Sequence, residues 1–496
     1  MSGFRLLDFV EFFLPILPEI ELPVENISID EKIIYTVAGG IIFLLSQLPI
    51  YGLVSDAYLK INDPFYFQRT IFAMEKGTLL ELGLLPVLTS AFIWQLSAGF
   101  RFINVNLNLR SDRELYQSGQ KLTSFIFAIV YGAGYIFSGY YNNVIKGYNP
   151  FNGDSVPVTT LVLIFLQIVT MSFVTTLMVE IFDKGYCFGS GVLCFVALQV
   201  ATNLIRDVVG LELVSLPNSN KFESYGAAMN FIKNFRINFK SLNYNVLNSF
   251  TRSQLPNLSQ FYIVLVTVLV LIGVQNYRIE LPIRSTKVRG MNNVYPIRLF
   301  YTGALPILFA FTVLTNLQVF GYFTSTLLNN YSQLAASIIG TWSLDTKSFN
   351  LNLTSGILYF LTPSKSLAQS LLSPIRSVTY GLAIITLSTW FAYRWSRISG
   401  SSPKDISKQF KEQGISISGK RDISITKELS RVIPVASVSG AFVLAALAIA
   451  GELLGGLGKG VAAIIGVCGA FGILEEFMME YQQAGGNSQL TNVFRK

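Results

Sequence analysis

Residues 157–179 read PVTTLVLIFLQIVTMSFVTTLMV, a run that contains no Asp, Glu, Lys or Arg. A helix needs about 17–25 apolar residues to cross the hydrocarbon core of a bilayer, so this run is long enough to span a membrane. Comparable charge-free runs recur along the whole chain. We therefore predict ten membrane spans, at residues 33–53, 82–100, 122–141, 157–179, 185–205, 258–275, 299–329, 377–393, 432–451 and 460–474.

The composition of the 496 residues agrees with a polytopic membrane protein. Hydrophobic residues make up 51% of the chain and charged residues 13%, about half of the charged share of a soluble domain. The chain has no histidine, which excludes catalytic triads and proton relays that depend on histidine. Cys187, Cys194 and Cys468 lack the spacing of a metal site, and we interpret them as small packing residues. We expect no metal and no cofactor.

The distribution of lysine and arginine predicts the orientation, because cytosolic loops of membrane proteins carry an excess of these residues. With the N-terminus in the cytosol, the cytosolic side holds 23 of the 37 basic residues. Many of them lie in the two loops 276–298 and 394–431. We therefore expect both termini in the cytosol.

The chain divides into two halves of five spans each. We predict an N-terminal half at 1–210, a polar non-cytosolic connection at 211–257 and a C-terminal half at 258–496. Five spans in each half would give the halves opposite orientations, as in an inverted repeat. Residues 54–81 are too apolar for a free loop and too short to span, so they predict either a re-entrant short helix or a helix lying flat on the membrane surface.

Polar residues inside spans and basic residues beyond them are the remaining candidates for function. Thr89, Ser90, Gln95, Asn316 and Gln318 lie within spans, where polar groups must face other helices or an aqueous cavity. They indicate either ordinary bonding between helices or a polar seam that opens. The lysines from Lys404 to Lys420 extend well beyond the bilayer and would attract a large polyanion such as ribosomal RNA.

Several motifs resemble the SecY family, whose eukaryotic members are the α subunits of the Sec-sixty-one translocon. They cover nearly the whole chain and are GTLLELG (77–83), SDREL (111–115), KGYCFGSG (184–191), ELPIRSTKVRG (280–290), YPIRL (295–299), SGSSPKD (399–405) and GKR (419–421). Within the family, the residues 1–5 and 480–486 look closest to the second, Sec-sixty-one-like channel of fungi. The resemblance implies an all-α clamshell of ten transmembrane helices in two inverted five-helix halves.

The resemblance also implies a pore, a plug and a lateral gate. A ring of aliphatic side chains would close the pore, formed by Leu84, Leu88, Val192, Val196, Leu308 and Ile465. Residues 56–76 would form the plug below this ring. Spans two and seven would form the lateral gate, with Thr89, Ser90, Gln95 and Asn316 as gate residues. Some relatives carry methionine or a hydroxyl residue in the ring, whereas all six residues here are aliphatic.

The implied function is co-translational translocation of nascent polypeptides across the endoplasmic reticulum membrane. Transmembrane segments would be released laterally into the lipid. The implied partners are a ribosome with its RNA, a SecE-like γ subunit and a small β subunit. Ribosome docking would fall to the cytosolic loops, through Arg278, Arg284, Lys287, Arg289, Lys404, Lys408, Lys411, Lys420 and Arg421.

Two other classes of function remain as alternatives. A secondary transporter of a small solute would suit inverted halves, but such transporters usually keep an ionisable residue inside the membrane. A membrane-embedded enzyme would need an acid, base, nucleophile or metal site within the spans, and the sequence offers no such set.

The predicted orientation places the sequon Asn352-Leu353-Thr354 on the lumenal side. We expect a reporter sequon on a flexible spacer near residue 352 to be glycosylated, and one near residue 412 to remain unmodified. A mobility shift that endoglycosidase reverses measures both. The opposite pattern would invert the orientation of the whole chain.

Overall fold

A computed structural model describes the chain at residues 6–25, 27–54, 63–100, 102–103, 105, 109–142, 144–146, 157–215, 222–237, 242–252, 255–285, 292–345, 350–395, 402–413, 415–417 and 422–483. The fold is predominantly helical. Its α-helices in these residues are α1 (Leu6–Glu11), α2 (Ile29–Leu45), α3 (Tyr66–Ile71), α4 (Leu85–Gly99), α5 (Arg110–Phe137), α6 (Val158–Ile181), α7 (Gly191–Val209), α8 (Ala227–Ile237), α9 (Leu242–Thr251), α10 (Leu258–Gln275), α11 (Leu305–Asn329), α12 (Gln333–Ile339), α13 (Leu367–Leu372), α14 (Pro374–Trp395), α15 (Pro403–Gln413), α16 (Asp422–Leu453) and α17 (Lys459–Gln483).

Each of the ten predicted spans corresponds to a long helix. Five of these helices precede the connection at 211–257 and five follow it; they are α2, α4, α5, α6 and α7, then α10, α11, α14, α16 and α17. Six of the ten, namely α6, α7, α10, α11, α16 and α17, are long and apolar enough to cross a membrane by length and composition alone. The helices α2 and α4 have only 17 and 15 residues.

A capping box and two glycines mark the starts of these two helices. Helix α2 starts after Ser28, whose hydroxyl accepts a hydrogen bond from the Glu31 N–H, while the Glu31 carboxylate accepts one from the Ser28 N–H. Helix α4 starts three residues later than predicted. The loop before it turns through Gly77 and Gly83, whose φ angles of 74° and 52° suit glycine and few other residues.

The segment between these two spans folds into the molecule. Residues 54–81 contain the short helix α3, and Phe65, Ile71 and Phe72 within it or beside it are at most 2% exposed. The described residues 63–81 thus contain a short buried helix, as the first of the two alternatives requires, and its re-entrant position in the membrane stays a prediction. The predicted plug at 56–76 also includes residues 56–62, which lie outside the described residues.

Two predicted cytosolic loops join in one small sheet. Strands β3 (Arg278–Ser285) and β4 (Asn292–Arg298) form an antiparallel hairpin, and β7 (Ile415–Ile417) pairs with β3. The loops 276–298 and 394–431 therefore form one structural unit. The segments predicted to be non-cytosolic carry two further hairpins, β1 (Leu213–Ser215) with β2 (Phe222–Ser224), and β5 (Thr341–Leu344) with β6 (Leu351–Ser355).

Buried side chains form one large apolar cluster and two smaller ones. The large cluster draws on the long helices of both halves and on α3. A second cluster lies under the cytosolic sheet and includes Ile297, Phe410 and Leu429. The third packs α1 against α4 and α5 through Leu7, Trp94 and Tyr116. The pore residues predicted from the sequence lie in the large cluster.

Candidate functional site

The six predicted ring residues converge in the large cluster from four helices and their ends. Five of them are buried within it: Leu84, Leu88, Val196, Leu308 and Ile465. Val192 is partly buried and packs against the same cluster. Residues so far apart in the sequence meet because α4, α7, α11 and α17 all contribute to one central core. The six residues therefore lie in, or pack against, one buried apolar surface.

Helix α3 lies directly against this surface. Phe67, Ile71 and Phe72 belong to the same buried cluster, and the Leu84 N–H donates to the Phe72 carbonyl at 3.0 Å. The turn before α17 closes over α3 at Gly458. A Cβ atom at Gly458 would overlap the Phe67 carbonyl oxygen, so only glycine permits this approach. Helix α3 thus packs in the same apolar cluster as the predicted ring residues.

A buried ionic cluster fixes the ends of the α3 segment. The Arg69 guanidinium donates from Nε to Asp63 Oδ2 at 2.5 Å, and from Nη2 to Glu81 Oε1 at 2.7 Å and the Tyr140 hydroxyl at 2.8 Å. The second Glu81 oxygen accepts from the Gly77 N–H at 2.5 Å. All four charged or phenolic side chains are buried. Glu81 lies in the loop between α3 and α4, and Tyr140 lies in the loop after α5.

The charge state of this cluster follows from its composition. Burial alone would raise the pKa of Asp63, but the Arg69 guanidinium and the Lys76 ammonium outweigh it and hold that pKa below its ordinary value of 3.8. A carboxyl group whose pKa is lowered in the folded state stabilises the fold at pH values above its ordinary pKa. That contribution is lost only as the pH falls through the lowered value. Asp63 therefore remains ionised across the physiological pH range.

The polar seam between helices is centred on Asn316 of α11. Its Nδ2 donates to the Thr89 hydroxyl of α4 at 3.0 Å, and its Oδ1 accepts from the Tyr131 hydroxyl of α5. The Tyr131 and Thr89 hydroxyls lie 3.3 Å apart. Asn316 thus links a helix of the C-terminal half to two helices of the N-terminal half.

The other two predicted gate residues face elsewhere. The Ser90 hydroxyl donates to the Gln120 carbonyl at 2.5 Å and contacts Thr123, so it joins α4 to α5 within one half. Gln95 is partly buried, and its side-chain oxygen has no hydrogen-bond partner among the described residues. The structure therefore groups Thr89 with Asn316, and leaves Ser90 and Gln95 outside that seam.

Aromatic rings close the seam beyond Asn316. Phe92 of α4 makes edge contacts with Phe309 of α11 and Phe391 of α14, each at 5.4 Å between centroids. At the other end, Phe323 of α11 lies against Gly134 of α5, where a Cβ atom would overlap the ring. These contacts and Tyr131 were not predicted from the sequence, because aromatic residues in an apolar run give no signal of a particular partner.

The predicted docking residues lie on the unit formed by α15 and the sheet of β4, β3 and β7. We call it the cytosolic unit, after its predicted side of the membrane. Helix α15 buries Ile406 and Phe410 against the second cluster and exposes Lys404, Lys408 and Lys411. Arg278 is exposed on β3 and pairs with Glu280 at 3.0 Å. Arg284 also lies on β3. Lys287, Arg289, Lys420 and Arg421 lie outside the described residues.

Family models match the chain over most of its length. The SecY model matches residues 78–474, and the model of the plug domain of Sec61p matches residues 41–77. The chain belongs to the SecY family. The second match covers the end of α2 and all of α3, so it includes the segment that lies against the ring.

Two fungal relatives of this SecY-family chain agree with it in length. The "Sec sixty-one protein homolog" of Saccharomyces cerevisiae is 39% identical over 99% of both chains. The "Protein transport protein SEC61 subunit alpha" of Neurospora crassa is 33% identical over 96% of both chains. The higher identity to the homolog confirms the predicted likeness to the second fungal channel.

Solved structures agree with the clamshell fold of the family. A chain in the structure of the idle yeast Ssh1 complex bound to the yeast 80S ribosome has a TM-score of 0.78 and 38% identity, with 99% of both chains covered. A second structure, that of a protein-conducting channel, contains a chain with a TM-score of 0.74 and 23% identity. The match covers 96% of this chain and 97% of that one, and it supports the fold alone. The predicted fold of the SecY family is confirmed.

Replacing Arg69 with Gln should strongly destabilise this SecY-family chain, because two buried carboxylates would lose their counter-charge. Breaking one partner of a buried ion pair costs about 3–5 kcal/mol. We expect a lower thermal midpoint of the purified protein in detergent. The control is Arg110→Gln, which removes the exposed pair with Glu114 on α5 and should leave the midpoint unchanged. Equal midpoints for all three proteins would contradict a structural role of the cluster.

Proposed function

We propose that this chain is the pore-forming subunit of a protein-conducting channel of the endoplasmic reticulum membrane. It passes nascent polypeptides through its centre and releases transmembrane segments sideways into the bilayer. One observation carries the proposal: the six predicted ring residues and α3 share one buried apolar cluster, and the polar seam at Asn316 joins helices of both halves. The names of the relatives, which refer to protein transport, support the same activity.

The ring would keep the resting pore dry. Water and ions lose their hydration in a narrow aliphatic constriction, so such a constriction blocks them by dewetting. An extended polypeptide can displace aliphatic side chains, because it carries apolar surface of its own and fills the constriction. Leu88 and Leu308 come from the two different halves, and the opening of the ring would follow the separation of those halves.

The seam at Asn316 would serve as the lateral gate. Its hydrogen bonds are neutral, and a neutral bond contributes only about 0.5–1.5 kcal/mol to stability. An apolar signal segment that enters between α4 and α11 would replace the contact between Phe92 and Phe309 with apolar contacts of its own. Opening this seam therefore exposes few strongly bound groups.

The cytosolic unit would bind the ribosome. Lys404, Lys408 and Lys411 share one exposed face of α15, and the sheet joins α15 to the loop that carries Arg278 and Arg289. One rigid surface then presents the cations of both loops to RNA phosphates. The structurally similar Ssh1 complex was solved bound to a ribosome, which supports this assignment.

Two single-span subunits and a defined orientation in the membrane belong to the proposed channel. We infer a SecE-like γ subunit and a small β subunit, and cytosolic termini. The helices α2, α6 and α10 present exposed apolar side chains, which suit both lipid tails and the spans of such subunits. The inferred orientation rests on the count of basic residues in the loops.

A small-solute transporter is the weaker candidate. The observed helix α16 extends past its predicted span and includes the buried Glu452, an ionisable group of the kind that transporters use. However, both Glu452 oxygens accept from the Gly458 N–H, at 3.1 and 3.0 Å. The carboxylate thus binds the turn that closes over α3, and its role is structural.

Polar residues in the ring should make the resting channel leak. We expect Leu88→Asn with Leu308→Asn to retain water in the ring and to raise the ion conductance of the reconstituted resting channel. Leu429→Asn with Ala436→Asn in the cytosolic cluster is the control, because it places the same amides in buried positions outside the ring. Unchanged conductance in correctly assembled ring variants would remove Leu88 and Leu308 from the seal.

Reversing charges on the cytosolic unit should weaken ribosome binding without affecting the fold. We expect Lys404→Glu with Lys408→Glu to lower ribosome affinity and to reduce its salt dependence, because fewer phosphate contacts release fewer counterions. The pair Arg289→Glu and Arg421→Glu should act in the same way. Arg110→Glu, an exposed cation at the cytosolic end of α5, is the control. Affinities measured at several salt concentrations that coincide for all variants would exclude docking through these residues.

A further inference from the structure

Two short helices flank the hairpin of β5 and β6 in the chain. Helix α12 begins three residues after the end of α11, and α13 ends one residue before α14 begins. Both α11 and α14 are membrane-spanning helices, so the two short helices lie close to the bilayer. The cytosolic unit is connected to the other ends of α11 and α14, through β4 and α15. Helices α12 and α13 therefore lie on the side of the membrane opposite that unit.

Helix α12 packs one apolar face on the protein and exposes another. On the packed face, Ala336 is buried and Ile339 approaches Gly321 of α11. On the opposite face, Leu334 and Ile338 are four residues apart and are 80% and 61% exposed. A helix that borders water normally carries polar residues on its outer side, whereas a helix that is apolar there is covered by protein or lipid. The outer face of α12 therefore suits an apolar environment.

Helix α13 is fixed to the protein by serine side chains. The Ser366 hydroxyl caps its start by accepting a hydrogen bond from the Gln369 N–H, at 3.4 Å. The Ser370 hydroxyl donates to the carbonyl of Leu453, the last residue of α16, at 3.1 Å. The two leucines at the end of α13, Leu371 and Leu372, are 73% and 85% exposed. The protein thus fixes the position of α13 and leaves its large apolar side chains open.

The exposed leucines of α13 continue an exposed apolar stripe of α14. Ile375, Val378 and Leu382 are three and four residues apart, so they share one side of that helix, and each is more than half exposed. Val378 and Leu382 fall within the span 377–393, where an exposed apolar side chain contacts lipid. Leu372 precedes this stripe by three residues. The exposed apolar side chains thus continue from the span to α13.

We propose that α12 and α13 insert their exposed apolar faces into the lipid leaflet opposite the cytosolic unit. Interfacial helices bury such faces about 5–10 Å into the boundary between headgroups and acyl chains. Tyr331, which lies between α11 and α12 and is 90% exposed, suits the same layer, because tyrosine is enriched where membrane and water meet. The partner is the lipid surface itself. This inference concerns how the fold is seated in the bilayer, and it does not depend on what the channel conducts.

Depth-dependent fluorescence quenching tests this position. In a full-length chain with Cys187, Cys194 and Cys468 replaced by Ala, Leu334→Cys or Leu371→Cys carries one environment-sensitive fluorophore. The labelled chain is placed in phosphatidylcholine nanodiscs whose lipids carry a nitroxide either near the headgroup or deep in the acyl chain. The ratio of the two quenching efficiencies gives the depth of the fluorophore. We expect both fluorophores about 5–10 Å below the headgroups, and little quenching by aqueous iodide.

Three further positions serve as controls. Val378→Cys, on the lipid-facing stripe of α14, should lie deeper than Leu371→Cys, which also shows that the labelled chain is correctly inserted. Thr354→Cys, at an exposed position of β6, should be quenched by iodide and hardly by either lipid. Gln369 is exposed and lies two residues before Leu371, about 200° away around α13. Gln369→Cys should therefore be shallower than Leu371→Cys and more accessible to iodide.

Three results would overturn the proposal. Iodide quenching of Leu334→Cys and Leu371→Cys that equals that of Thr354→Cys would place both helices in water. Protection of both fluorophores from iodide and from the nitroxide lipids alike would show that protein covers these faces. Equal depths at Gln369→Cys and Leu371→Cys would show that the leucine face of α13 is not the inserted one.

Discussion

The hydrocarbon core of a bilayer offers no hydrogen-bond partner, so every polar group at that depth must find one within the protein. This constraint decides the internal design of the chain. Asn316 donates to Thr89, Arg69 donates to two carboxylates and a phenol, and Gln68 donates to Gln318. These bonds join α11 to α4 and to α3, and α3 to the segments around it. The polar groups therefore act as specific links, whereas the apolar surface around them packs with little directional preference.

The seal and the links have opposite requirements, and the structure separates them in space. The ring uses only aliphatic side chains, since a polar group there would retain water in the constriction. The polar links surround this ring: Asn316 on the gate side, and the Arg69 cluster and the glutamine pair on the side of α3. Because the ring itself has no directional bonds, it can widen without breaking any. The resistance to opening then resides in the links, each of which has its own strength.

Much of the fold was predictable from the sequence, because the spans produce long apolar runs that depend on composition alone. A short helix within 54–81 was also predictable, since this segment is too apolar for a loop, but composition did not distinguish a re-entrant helix from one lying flat on the membrane. The strands of the cytosolic unit were not, because Ile283 and Ile417 pair across a separation that leaves no local signal. The six ring positions came from the family resemblance. Tyr131 and the partners of Arg69 were not predicted, because a buried contact is fixed by the arrangement of helices, which the local sequence does not encode.

The strengths of the links imply an order of events. The neutral bonds of Asn316 and Gln318 both lie on α11, whereas Arg69 makes ionic bonds to Asp63 and Glu81. The ionic bonds are the stronger ones, because hydrogen bonds to ionised groups are roughly twice as strong as neutral ones. Breaking them would also leave an uncompensated buried charge, which is strongly destabilising. A separation of the two halves would therefore break the neutral links on α11 before it broke the Arg69 cluster.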